Sequence, residues 1–128
     1  MDLNEYQEAI VKFDMNGDIR NIDKIDFAFL DKVLGLSGES GEVADKVKKI
    51  IRDQEGRIRK EDKLALSKEL GDVLWYVATT ARYLGLSLTD VAGTNLSKLE
   101  SRLERGKISG QVIIDENFDC RRSSESPS

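Results

Sequence analysis

Lys68-Glu69-Leu70-Gly71-Asp72-Val73-Leu74-Trp75-Tyr76 sets two carboxylates three residues apart inside a segment that is otherwise apolar at helical spacing. Leu64, Leu66, Leu70, Val73, Leu74, Val77, Ala81 and Leu84 repeat with period 3.6, which predicts a helix over roughly 61–84, ended by Gly85. Glu69 lies three residues after Leu66 and four before Val73, so it falls on the apolar stripe, and Asp72 flanks it. A matching pair stands upstream, in Gly38-Glu39-Ser40-Gly41-Glu42, where Glu39 lies three residues after Leu36 and four before Val43. Each pair is spaced i, i+3 and shares one helix face.

The upstream pair belongs to a second helical segment of roughly 24–53, with Leu30, Val33, Leu34, Ala44, Val47, Ile50 and Ile51 on its stripe. Gly35, Gly38 and Gly41 interrupt it, which suggests close helix approach or a bend beside the carboxylates. Gln54-Glu55-Gly56-Arg57 closes this helix, and an antiparallel hairpin with the 61–84 helix would bring the two acidic pairs together. Before it, Asp2 can cap a helix of roughly 3–13, and Asp14-Met15-Asn16-Gly17-Asp18 reads as a turn; the residues after it do not continue as a calcium-binding loop. Ser87 or Thr89 can cap a fourth helix of roughly 88–105, stopped by Gly106. The expected fold is therefore all-α: a four-to-five-helix antiparallel bundle, completed by oligomerisation. Residues 1–106 form the expected domain. Residues 107–128 form an extension, partly disordered, in which Val112-Ile113-Ile114 is a strand or docking segment, Cys120 an incidental cysteine and Arg121–Ser128 a polar tail.

Composition narrows the chemistry. A chain of 128 residues with 39% hydrophobic and 34% charged residues suits one domain of amphipathic helices. The net charge of −4 argues against nucleic acid as a partner. A single cysteine fits a reducing cytoplasm, Met1–Glu5 is unlike a signal peptide, and no apolar run approaches the ~20 residues that span a bilayer. Histidine is absent, which removes histidine general bases, catalytic triads and, with one cysteine, structural zinc sites. Any metal must be held by oxygen: magnesium, manganese or calcium.

Carboxylates on an apolar stripe need a cationic partner, because an unpaired buried carboxylate costs several kcal/mol or becomes neutral. Bound Mg²⁺ resolves this and leaves positions for substrate phosphates. The plain alternative pairs Glu39 and Glu42 with Lys46 and Lys49 on a solvated face. On the fourth helix Asn95, Lys98 and Arg102 share a face that suits phosphate oxygens, although the same spacing suits an ordinary polar surface. Tyr76, four residues after Asp72, rises beside the acidic pair and can touch a sugar or base; Trp75 and Tyr6 read more simply as packing residues.

Leu36-Ser37-Gly38-Glu39-Ser40-Gly41-Glu42-Val43 followed by Lys68–Tyr76, together with Leu3-Asn4-Glu5-Tyr6-Gln7 and Asn95-Leu96-Ser97-Lys98-Leu99-Glu100-Ser101-Arg102, resembles the MazG-type all-α nucleoside triphosphate pyrophosphohydrolases over roughly residues 3–106. Their signature is ExxE, a spacer, then ExxD. The resemblance implies that Glu39, Glu42, Glu69 and Asp72 are the catalytic carboxylates and hold Mg²⁺, with Mn²⁺ a possible substitute. It implies that Asn95, Lys98 and Arg102 bind phosphates and that Tyr76 lines the nucleoside pocket. It further implies cleavage of a (d)NTP between its α and β phosphates, for nucleotide-pool housekeeping, by a homodimer or homotetramer. A non-catalytic helical protein that binds a nucleotide or a partner is the competing expectation; a redox-metal bundle needs ExxH motifs, which this chain lacks.

Overall fold

The computed structural model describes residues 1–106, and the expected features of the 107–128 extension lie outside them. Among the described residues all regular structure is helical: α1 (Leu3–Ala9), a short 3-10 turn (Val11–Phe13), α2 (Phe27–Gln54), α3 (Lys60–Tyr83) and α4 (Leu88–Glu104). The all-α expectation is met. None of these helices is long and apolar enough to cross a membrane. The chain divides into two units, Met1–Val91 and Ala92–Ser128.

Local chemistry sets the helix ends. The Asp2 carboxylate accepts from the Glu5 backbone N–H, and the Glu5 carboxylate accepts in return from that of Asp2, a reciprocal cap. α1 is shorter than expected: after Ala9 the chain tightens into the 3-10 turn and turns Asp14 into the interior. The second helix starts three residues later than the expected 24, because Asp26 caps it by accepting from the Phe29 N–H. It ends where Glu55 and Gly56 take left-handed backbone conformations. The Asp62 carboxylate accepts from the Arg59 guanidinium and backbone N–H and from Gln54, and in that order these donors hold it far below the usual carboxylate range. Gly85, at φ +73°, ends α3; a side chain there would collide with the Asn21 carboxamide. Ser87 Oγ, one of the two expected caps, accepts from the Asp90 N–H and starts α4.

α2 and α3 pack as an antiparallel hairpin, since partners descend α3 as they climb α2: Gly35 meets Tyr76, Lys46 meets Glu69 and Gln54 meets Asp62. The apolar core lies at one end, where Ile10, Ala78 and Leu88 are buried with Tyr6, Trp75 and Val77 packed against them. Gln7 ties this end together. Its Nε2 donates to Ala78 O (3.1 Å) and Leu86 O (3.0 Å), and its Oε1 accepts from Leu88 N–H (2.9 Å).

Beside that core, Asp14 is wholly buried and accepts from the Arg82 guanidinium and from the Tyr83 hydroxyl (2.7 Å), with Lys32 Nζ 3.4 Å away. Burial pushes its carboxyl up, but Tyr83, the Asn16 N–H and Lys32 outweigh this and hold it below the ordinary value. Burial and then Asp14 push the Tyr83 hydroxyl up to about 12.

The expected stripes are covered only in part: Ile50 and Ala81 are buried and Leu66, Val73 and Val77 half-buried. Leu30, Val33, Leu34, Val47 and Ile51 on α2, Leu64, Leu70 and Leu74 on α3 and Leu84 just after it are all exposed. A two-helix hairpin buries only the strip along its seam, so apolar residues a third of a turn away stay open.

Candidate functional site

Halfway along the hairpin seam, Glu39 of α2 and Glu69 and Asp72 of α3 each offer a carboxylate oxygen, and these oxygens lie within 4.8 Å of one another. Two helices are needed to assemble them: the i, i+3 spacing aligns Glu69 with Asp72, and the hairpin register delivers Glu39. Glu42 stays outside this set and is exposed. The sequence expectation was of four buried charges. Instead Glu39 and Glu69 are half-buried and Asp72 and Glu42 are exposed, because the groove opens to solvent.

Like charges crowd the site. Partial burial, and then the negative charges of Asp72, Glu69 and Glu42, push the Glu39 carboxyl up. The Tyr6 hydroxyl on α1 is raised by burial and then by the charge of Asp72. One cation answers the cluster: Lys46 Nζ lies 3.1 Å from Glu69 Oε1. The plain alternative paired Glu39 and Glu42 with Lys46 and Lys49. In the structure Lys46 crosses to α3, Lys49 folds back onto Asp45 (2.6 Å), and among the described residues neither Glu39 nor Glu42 has an ion-pair partner.

Tyr76 stands where its i+4 spacing from Asp72 puts it, half-buried, with its ring against Gly35 and edge-on to Trp75 at 4.9 Å between centroids. Of the three glycines expected to mark close approach, Gly35 does: any side chain there would collide with the Tyr76 ring. Gly38 and Gly41 face open space. Asn95, Lys98 and Arg102 are exposed on the part of α4 that belongs to the second unit.

Two features escaped the sequence reading. Lys46 has unremarkable helical spacing to Glu39 and Glu42, and only the hairpin register pairs it with Glu69. Asp14 looks like an ordinary turn residue, and nothing local announces that Arg82, 68 positions away, will meet it.

The donor set suits one class of ion. Three carboxylates from rigid helices, with no nitrogen or sulfur among them, match the oxygen preference of Mg²⁺ or Mn²⁺.

A family model described as the MazG nucleotide pyrophosphohydrolase domain matches residues 28–106, which include all four carboxylates. The gene 37 protein of Mycobacterium phage L5 is 47% identical over 94 residues, covering 73% of this chain and 79% of that protein. No solved structure matches the chain.

Proposed function

The chain belongs to the MazG nucleotide pyrophosphohydrolase family, and from that premise we propose that it is a divalent-metal-dependent enzyme that hydrolyses (deoxy)nucleoside triphosphates between the α and β phosphates. The products are a nucleoside monophosphate and pyrophosphate. The observation that carries this reading is the convergence of Glu39, Glu69 and Asp72 within 4.8 Å, from two helices, in an open groove.

Those three residues would hold the cation, Mg²⁺ with Mn²⁺ as substitute. Bound there, it would offset the charge of the triphosphate and polarise a phosphoryl oxygen. Glu42, exposed beside the set, is assigned to take the proton of the attacking water. The water oxygen forms a new bond to one of the two bridged phosphorus atoms, that atom's bond to the bridging oxygen breaks, and the bridging oxygen leaves with the electron pair on the other phosphorus, so that one fragment is the monophosphate and the other pyrophosphate. Tyr76 borders the nucleoside, and Asn95, Lys98 and Arg102 are assigned to phosphate from α4. Residues 1–106 constitute the catalytic domain in this reading, and housekeeping of the nucleotide pool in the cytoplasm is its role. A homodimer or homotetramer is part of the same reading, supported by the exposed leucines of α2 and α3.

One observation favours a second reading. Lys46 already neutralises Glu69 at 3.1 Å, as it would in a non-catalytic protein that binds a nucleotide or partner without metal.

A panel of (d)NTPs with Mg²⁺ and with Mn²⁺, read by product identification, separates the two. The enzymatic reading expects a monophosphate and pyrophosphate from at least one substrate. It also expects Glu69→Gln and Asp72→Asn to lower kcat at least ~100-fold, the range of a lost catalytic group, with circular dichroism unchanged. An intact panel, or full rates in both variants, refutes it.

A further inference from the structure

The carboxylates have a chemically different neighbour at each end of the α2–α3 groove. Toward the start of α2 and the end of α3 lies a cleft of about 570 Å³ walled by Phe13, Phe27, Trp75 and Tyr76, with Asp31 and Lys32 among its lining. Toward the opposite end lies a smaller cleft of about 240 Å³ to which Lys46, Lys49 and Arg59 contribute, together with Asp53 and Asp62, which are paired with Arg52 and Arg59. Helical rise sets the scale. Tyr76 is four residues beyond Asp72, about 6 Å along α3, and Lys46 is seven beyond Glu39, about 10 Å along α2 in the opposite direction.

Phe27 is 87% exposed and Phe13 63% exposed, so neither ring serves the core. Their position is nonetheless specific: they complete a concave wall whose other members, Trp75 and Tyr76, are held edge-on at 4.9 Å. Lys32, anchored between Asp14 and Asp31, lies 5.4 Å over the Trp75 ring and stiffens that wall. Aromatic faces arranged around a gap, one helical turn from a triphosphate site, suit a planar heterocycle. At the other end, among the described residues, Lys49 is held in a largely exposed pair with Asp45 and Lys46 in a half-buried pair with Glu69, each leaving the ammonium partly open to solvent. Exposed pairs of this kind are weak and exchange partners readily.

We propose that the substrate lies along this groove in one direction, with its base in the Phe13–Phe27–Trp75–Tyr76 cleft and its β and γ phosphates turned toward Lys46 and Lys49. The assignment rests on the pyrophosphohydrolase reading for the identity of the substrate. It gives the Lys46–Glu69 pair a purpose in the empty groove. As phosphate takes Lys46, the Glu69 carboxylate, already beside Glu39 and Asp72, is freed for the cation, so that substrate and cation are bound together.

Trp75 is the single tryptophan, so its fluorescence reports the cleft independently of turnover. The full chain with Mg²⁺ is titrated separately with the four deoxynucleoside monophosphates, followed by Trp75 quenching, and with inorganic pyrophosphate, followed calorimetrically. At least one monophosphate is expected to quench Trp75. Phe27→Ala should weaken that monophosphate about tenfold, the size of one lost base stack, and leave pyrophosphate within twofold. Lys49→Ala should do the reverse. Absence of quenching by all four monophosphates overturns the proposal, and so does an exchange of the two variants' effects. A third overturning result is a Phe27→Ala protein whose oligomeric state changes while monophosphate binding does not, which would make the cleft a contact between copies. If the chain hydrolyses no (d)NTP yet shows the two opposed losses, the binding polarity stands and the hydrolytic reading falls. If it hydrolyses a (d)NTP and Phe27→Ala and Phe13→Ala bind monophosphate normally, the polarity falls and the hydrolytic reading stands.

Discussion

At the scale of single residues, charge is handled in two opposite ways. Asp14 is buried and fully answered by Arg82, Tyr83 and Lys32, whereas Glu39, Glu69 and Asp72 stand together in an open groove where, among the described residues, Lys46 is the one cation paired with them. The first arrangement serves the fold. Asp14→Asn would leave Arg82 and Lys32 with only their outer partners Asp18 and Asp31, and removal of one partner from a buried ion pair costs up to about 3–5 kcal/mol; a urea melt would read this as a lowered midpoint with an unchanged slope. The same carboxylate predicts an acid dependence. Asp14 is held below its ordinary value in the folded chain, so its stabilisation is complete above the unfolded-state pKa of about 3.9 and is lost as pH falls through the lower folded value. Asp62, held low chiefly by Arg59, acts with the same sign. Urea midpoints between pH 7 and pH 2 should fall below about pH 4, and less so in Asp14→Asn. Gly35 is the other decisive residue. Gly35→Ala would drive the Tyr76 ring off α2, with an overpacking cost of about 1–3 kcal/mol and altered Trp75 fluorescence, while Gly38→Ala, facing open space, should leave that fluorescence unchanged.

Among elements, several helix boundaries were legible from capping chemistry, while the early end of α1 and the Asp26 cap of α2 were not. Asp2, Gly85, Ser87 and the Glu55–Gly56 pair all act where their residue types place them, to within a few residues. What the elements do to each other was less legible, because it depends on long-range polar contacts that leave no periodic trace. Gln7 is the example: an interior glutamine of a short helix that joins the ends of α3 and α4 through three backbone groups. Gln7→Leu should keep its volume but leave Leu88 N–H and Leu86 O without partners, a loss of about 1–3 kcal/mol for each buried group left unsatisfied. Hydrogen exchange would locate the effect: protection should drop at the first turn of α4 and the last turn of α3 and hold in the middle of the hairpin.

For the whole molecule, the chief departure from expectation is how little of the apolar stripe is covered. Leu30, Leu34, Leu70 and Leu74 follow helical spacing as core residues do, yet all four are exposed. If the proposed oligomer forms on these faces, Leu74→Glu should shift the protein to monomer in analytical ultracentrifugation while its helix content persists; an unchanged sedimentation coefficient would exclude this face. The sequence by itself determined the helices, their caps and the two acidic pairs, because 3.6-residue periodicity and capping are local and act within a turn or two of chain. It also restricted any resident metal to a hard, oxygen-seeking ion, since a chain without histidine offers little else. Tertiary structure alone decided that Glu42 stays outside the convergence of the acidic pairs, that Lys46 meets Glu69 rather than its own helix, and that Asp14 is an interior anchor. The last two contacts join positions 23 and 68 residues apart; one depends on the register between α2 and α3 and the other on how the turn before α2 packs against the end of α3, and no local pattern encodes either.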